Sequence, residues 1–202
     1  MTEPRETRAL YLASGNAGKL KEFRALAESS GKDWRLELSP DYAALKEFEE
    51  AAPTFAENAA GKAFYYARGG DGVVFADDSG LVVPALGGAP GVLSARYAGP
   101  GASSEQRISK LLFEMKGLAG AKREAYFVCV IAAVRNGRAV AVVSEKVDGE
   151  ILNSPRGSGG FGYDPVFFFP PLGRTFAELR REEKSEHSHR GKAFRRLLEV
   201  LG

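Results

Sequence analysis

Apolar residues along this chain follow two rhythms, and the switches between them set out its elements. Residues 9–13 form a short unbroken apolar run, as a buried strand does. Leu20, Phe23, Leu26 and Ala27 then recur at helical steps, so the opening unit is strand, glycine turn, helix. "WRLELS" alternates like a second strand. Thr54 and Glu57 have the spacing of a capping box, which predicts a helix over 55–68. "GVVFADDSG" reads as a β-branched strand ending in two carboxylates and a polar turn. The stretch that follows it, "LVVPALGGAPGVLSARYAGPG", holds too much glycine and proline for regular structure. A loop that long in a compact domain points to function.

Ser103 and Gln106 repeat the capping spacing, and Ile108, Leu111, Leu112 and Met115 supply the apolar stripe of the next helix. "EAYFVCVIAAVR" and "RAVAVVSEKV" face each other across Asn136-Gly137, a strong hairpin signal. After the glycine-rich "RGSGGFGYDPVFFFPP" the chain closes on a helix whose apolar face is Phe194, Leu197, Leu198 and Leu201, with His187, His189 and Arg190 at its start. Helices interleaved with parallel-compatible and hairpin strands predict an α/β fold with a mixed sheet, in one domain over 1–202. The glycine-rich loops at 14–18, 87–101 and 157–162 are expected to line one cleft.

Composition narrows the function. The 202 residues are 44% hydrophobic and 27% charged, as in an ordinary globular protein. A net charge of +2 excludes a general electrostatic grip on nucleic acid, and "RGKAFRR" reads as a solvated helix face. The single cysteine, Cys129, lies in an apolar run and is expected to be a buried hydrophobe, not a nucleophile. The opening "MTEPRETRA" is polar and mixed in charge, unlike a signal peptide, and no apolar segment is long enough to span a bilayer. A cytoplasmic location without a membrane partner is expected.

Three places carry candidate chemistry. "SGNAGKLKEF" fails as a Walker loop, because only Asn16 and Ala17 separate Gly15 from Gly18 and Leu20 follows Lys19. The backbone N–H groups of such a turn, aided by Lys19, suit phosphate oxygens, but a plain helix-start turn fits equally well. Asp77 and Asp78 point to opposite faces of a strand, so only one is expected to face a given site; a polar turn is the plainer reading. Glu50 added to one of them would suit Mg²⁺, which takes one or two carboxylates plus substrate phosphates, although Glu49 and Glu50 also read as a solvated charge run. Phe161 and Tyr163 can stack on a purine or fill a core. His187 and His189 lack a third ligand for zinc.

Six blocks in order, "ASGNAGKLKEF", "TFAENAAGKA", "ADDSGLVVPALGGAPGVLSARYAG", "GFGYDPVFF", "TFAEL" and "EEKSEHSHRGKAF", closely resemble the inosine triphosphate pyrophosphatase family, over about residues 9–201. The resemblance implies an elongated mixed sheet with flanking helices, two lobes around a central cleft and a homodimer. It implies hydrolysis of ITP, dITP and XTP to the monophosphate and pyrophosphate, with GTP excluded. Ser14, Gly15, Asn16, Ala17, Gly18 and Lys19 would hold the triphosphate and Lys62 would reach the phosphates. Glu50 and Asp78 would bind Mg²⁺, with Asp78 also the proton acceptor and Ser79 beside it. Phe161, Gly162, Tyr163, Asp164, Lys184, His189 and Arg190 would form the base pocket. Ser14 stands where Thr is commoner, which keeps the hydroxyl, and His187 stands where the family is usually aliphatic or polar. A Maf-type pyrimidine nucleotide pyrophosphatase and a non-catalytic nucleotide-binding module are the rival readings.

Overall fold

The structure, a computed structural model, describes residues 8–67 and 72–202. Most of the polar opening segment and Arg68, the expected end of a helix, lie outside the described residues. In chain order the elements are β1 (Arg8–Leu12), α1 (Ala17–Ser29), β2 (Trp34–Leu38), α2 (Pro40–Ala44), α3 (Phe55–Tyr65) and β3 (Val73–Val82). Then come α4 (Ser104–Glu114), β4 (Glu124–Arg135), β5 (Arg138–Ile151), β6 (Phe167–Phe169), β7 (Arg174–Thr175), α5 (Arg181–His187) and α6 (His189–Leu201). The strands form one mixed sheet in the order β2-β1-β3-β4-β5-β6-β7, as expected of the fold class. Among the described residues no helix is long and apolar enough to cross a membrane.

Contacts divide the chain into two compact units. The first holds the residues up to Asp78, with Val130–Ser144 and Ala193–Gly202. Here β1 pairs in parallel with β2 on one side and β3 on the other, Leu12 lying opposite Leu38 and Phe75. Phe23 of α1 packs edge-on against Phe75 of β3 at 5.2 Å and against Phe194 of α6 at 5.1 Å. All three rings are fully buried, each worth about 1.5–3 kcal/mol of hydrophobic stabilisation. The glycine turn leads into α1 as the periodicity predicts, with Asn16 as N-cap accepting from the Lys19 N–H at 3.1 Å.

The second unit comprises Ser79–Cys129 and Glu145–Lys192. Its core gathers Leu81, Ile108, Leu111, Met115, Phe127, Phe167 and Phe176. The stripe predicted for α4 faces this core, and both halves of the Ser103–Gln106 capping box are made, at 2.8 and 3.3 Å. β4 and β5 meet at Asn136-Gly137, whose φ angles of 51° and 70° are those of a two-residue hairpin turn. Cys129 is buried.

Several expectations give way. β3 does not turn at Asp77-Asp78 but runs on through Ser79 and Gly80 to Val82, since β1 and β4 flank it and ladder pairing outweighs local turn chemistry. The glycine- and proline-rich segment after β3 holds two short 3₁₀ turns, Pro84–Leu86 and Gly91–Arg96. α3 stops at Tyr65. His187 ends α5 instead of starting the last helix, because Ser188 takes an extended conformation and breaks the helix there.

Candidate active site

Everything chemical in the first unit converges on the middle of β3. Asp77 is 0% and Asp78 5% exposed, so each needs a partner. Lys19, carried inward by the first turn of α1, reaches Asp77 Oδ2 at 2.9 Å. Lys62 of α3 pairs with Glu50, and burial, which pulls its ammonium towards neutrality, is outweighed by the charges of Asp77, Glu50 and Asp78. The charges of both aspartates act on Lys62 through space, while their direct partners differ: Lys19 for Asp77 and Asn58 for Asp78. Burial, with the charge of Glu50 next, pushes the Asp78 carboxyl up from an ordinary 3.8 to about 6; Lys19, Lys62 and an Asn58 hydrogen bond oppose the rise. A carboxyl poised there can take a proton near neutral pH.

The Ser14–Lys19 turn stands beside this cluster in sequence and fold. Ser14 is buried and its hydroxyl accepts from the Asn16 N–H at 3.2 Å, while Gly15, Asn16 and Ala17 are exposed and Gly18 half-buried. A side chain at Gly15 would meet the Tyr42 hydroxyl, the Cβ position lying 2.2 Å from it. Because α1 begins at Ala17, the N–H groups of Ala17 and Gly18 lack intrahelical acceptors, as phosphate binding requires, while that of Lys19 is capped by Asn16.

The second unit brings together a separate set. Asp164 Oδ2 accepts from Lys184 Nζ at 2.6 Å and from the Phe161 N–H at 2.8 Å. Lys184 Nζ lies 4.7 Å and the Arg190 guanidinium 5.4 Å from the centre of the Phe161 ring, which is 37% exposed. Arg190 also donates to the Ser79 hydroxyl at 3.0 Å, and the His189 ring stacks on Phe127 at 4.7 Å, 10° from parallel. Tyr163 is placed differently: its ring is in the core and its hydroxyl donates to the Ser94 carbonyl at 3.0 Å. Gly162 takes a positive φ of 65° between the two aromatics.

A model of the Ham1 family matches residues 10–200. The chain belongs to the Ham1 family. Ham1 relatives named dITP/XTP pyrophosphatase include that of Geobacillus kaustophilus, 48% identical over 93% of this chain and 91% of its own. That of Gloeobacter violaceus is 50% identical over 95% and 93%. Among solved structures, the Ham1 protein of Coxiella burnetii superposes with a TM-score of 0.85 at 39% identity, covering 96% of this chain and 98% of that one.

Reading the sequence missed three residues of the Ham1 chain. Strand alternation leaves open which of Asp77 and Asp78 faces the site and the family resemblance selects Asp78, yet Asp77 is the partner of Lys19. Asn58 lay inside the block "TFAENAAGKA" with only Lys62 singled out, yet stands four residues before it on the same helix face. Phe127 sat unmarked in an apolar strand.

Proposed function

We propose that this chain hydrolyses dITP, XTP and ITP to the nucleoside monophosphate and pyrophosphate and so clears deaminated purines from the nucleotide pool. The observation that carries this reading is the buried carboxylate–lysine cluster around Asp78, in a chain whose relatives bear the name dITP/XTP pyrophosphatase. Ser14–Lys19 and Lys62 take the triphosphate. Asp78 accepts the proton of the attacking water as its oxygen bonds to the α-phosphorus; the α–β phosphoanhydride bond breaks and pyrophosphate leaves with the electron pair. Glu50 and Asp78 suit a divalent cation, Mg²⁺, because the charge of Glu50 raises the proton affinity of Asp78, and a positive charge between them relieves it. Such an ion, when bound, offsets the charge developing on the phosphoryl oxygens.

Phe161 stacks on the base, with Lys184 and Asp164 holding its loop. Hypoxanthine and xanthine present a C6 carbonyl that Arg190 or His189 can satisfy. Adenine presents an amino group there, and an unpaired buried donor costs about 1–3 kcal/mol. A cytoplasmic homodimer acting on free nucleotides, not on nucleic acid, completes the reading; the resemblance and the near-neutral charge support it.

The test is pyrophosphate release from a panel of triphosphates with Mg²⁺. ITP, dITP and XTP should turn over far faster than ATP, GTP, dTTP or UTP, and Asp78→Asn should abolish it. No pyrophosphate from ITP, or a fully active Asp78→Asn, overturns the proposal; faster dTTP or UTP turnover transfers it to pyrimidines. Light scattering in solution reads the dimer.

A further inference from the structure

Asn58 is 1% exposed and touches two things at once. Its Oδ1 accepts from the Ala52 N–H at 3.0 Å, and its Nδ2 donates to the Ala52 carbonyl at 3.2 Å and to Asp78 Oδ2 at 3.0 Å. Two bonds to one residue fix the plane of the amide. The third then has only one direction left, towards the carboxylate. Both hydrogens of the amide are committed, and burial keeps water from competing for them.

The chain to which this amide is tied is the one that carries Glu50, two residues before Ala52. Asn58 also shares a face of α3 with Lys62, the partner of Glu50. One buried side chain thus sets the orientation of Asp78 and the position of the segment bearing the second carboxylate.

We infer that Asn58 is a positioning residue, which orients Asp78 through Oδ2 and clamps the Glu50 segment to it. The inference rests on the hydrolysis proposed above. Removing the donor leaves Asp78 in the same place but free to rotate, and removing the whole amide also releases Glu50.

Two variants separate these effects. Asn58→Asp keeps the shape and the acceptor for the Ala52 N–H but deletes both Nδ2 bonds, to the Ala52 carbonyl and to Asp78, and sets a second carboxyl against Asp78; Asn58→Ala deletes all three bonds and adds no charge. Kinetics of pyrophosphate release from ITP are measured on samples of verified circular dichroism, and Mn²⁺ affinity is measured without nucleotide by electron paramagnetic resonance. Groups that orient metal and catalytic ligands are worth about 10–100-fold. Both variants should lose at least about tenfold in kcat with KM for ITP within about threefold, and Asn58→Ala should bind Mn²⁺ at least about tenfold more weakly. Wild-type kcat in Asn58→Asp, or unchanged Mn²⁺ affinity in Asn58→Ala, overturns the inference. If the wild-type protein releases no pyrophosphate from ITP, the proposed hydrolysis fails, and the Mn²⁺ measurement still decides the role of Asn58.

Discussion

The carboxyl of Asp78 should make the protein less stable than it would be with a neutral group of the same shape, and by an amount that depends on pH. Burial and the Glu50 charge hold it at about 6, against 3.8 in an exposed chain. A carboxyl whose proton is held more tightly in the folded state costs nothing below its unfolded value, costs more as pH rises between the two values, and reaches its full cost above about 6. The separation corresponds to about 3 kcal/mol at pH 8 and about half that at pH 5. Asp78→Asn retains an oxygen to accept from Asn58 and removes the titration, so it should be more stable than the wild type by those amounts. Urea unfolding at pH 5, 6.5 and 8, with chelator present, measures the difference, and added Mg²⁺ should narrow it. The reasoning is refuted if Asp78→Asn is no more stable than the wild type at pH 8, or if the gap fails to widen from pH 5 to pH 8.

Phe161→Ala should raise KM for ITP by at least about fivefold and leave kcat within about twofold, since base–aromatic stacking is worth about 1–3 kcal/mol; an unchanged KM would remove Phe161 from the base pocket. Arg123 is buried and donates to the carbonyls of Ile151 at 2.5 Å, Leu152 at 2.9 Å, Leu118 at 3.2 Å and Met115 at 3.4 Å. Arg123→Met should lower stability by about 2–4 kcal/mol and the melting midpoint by about 5–15 °C in calorimetry, with Arg123→Lys unable to rescue it because one ammonium cannot serve four acceptors. A methyl at Gly191 would lie 1.9 Å from the Ser185 carbonyl oxygen, whereas Gly31, at φ +66°, has open space around it. Gly191→Ala should therefore cost about 3 kcal/mol or more in urea unfolding and Gly31→Ala only about 1 kcal/mol; equal costs would contradict the tight joint between α5 and α6.

Local chemistry was legible where partners are neighbours in sequence. The Ser103–Gln106 capping box, the Asn136-Gly137 turn and the apolar face of the last helix each need only a few consecutive residues to form, and all three stand as the pattern implies. β3 was misread at its centre for the opposite reason. Asp-Asp-Ser-Gly is turn chemistry by itself, and a strand carries it only because neighbours on both sides pair with it. A local rule broken inside a buried strand is where function is expected, and the carboxylates lie there.

The sequence by itself determined the alternation of helix and strand and the set of reactive residues, because periodicity and residue type are local properties. Only the tertiary structure decided which of those residues act on one another. Lys19 and Asp77 are far apart in the chain, as are Asn58 and Asp78, and ion pairing, proton affinity and burial depend on distance in space. Asp77 and Asn58 acquire their places from that folding alone, and the proton affinity of Asp78 is set by what the fold packs around it.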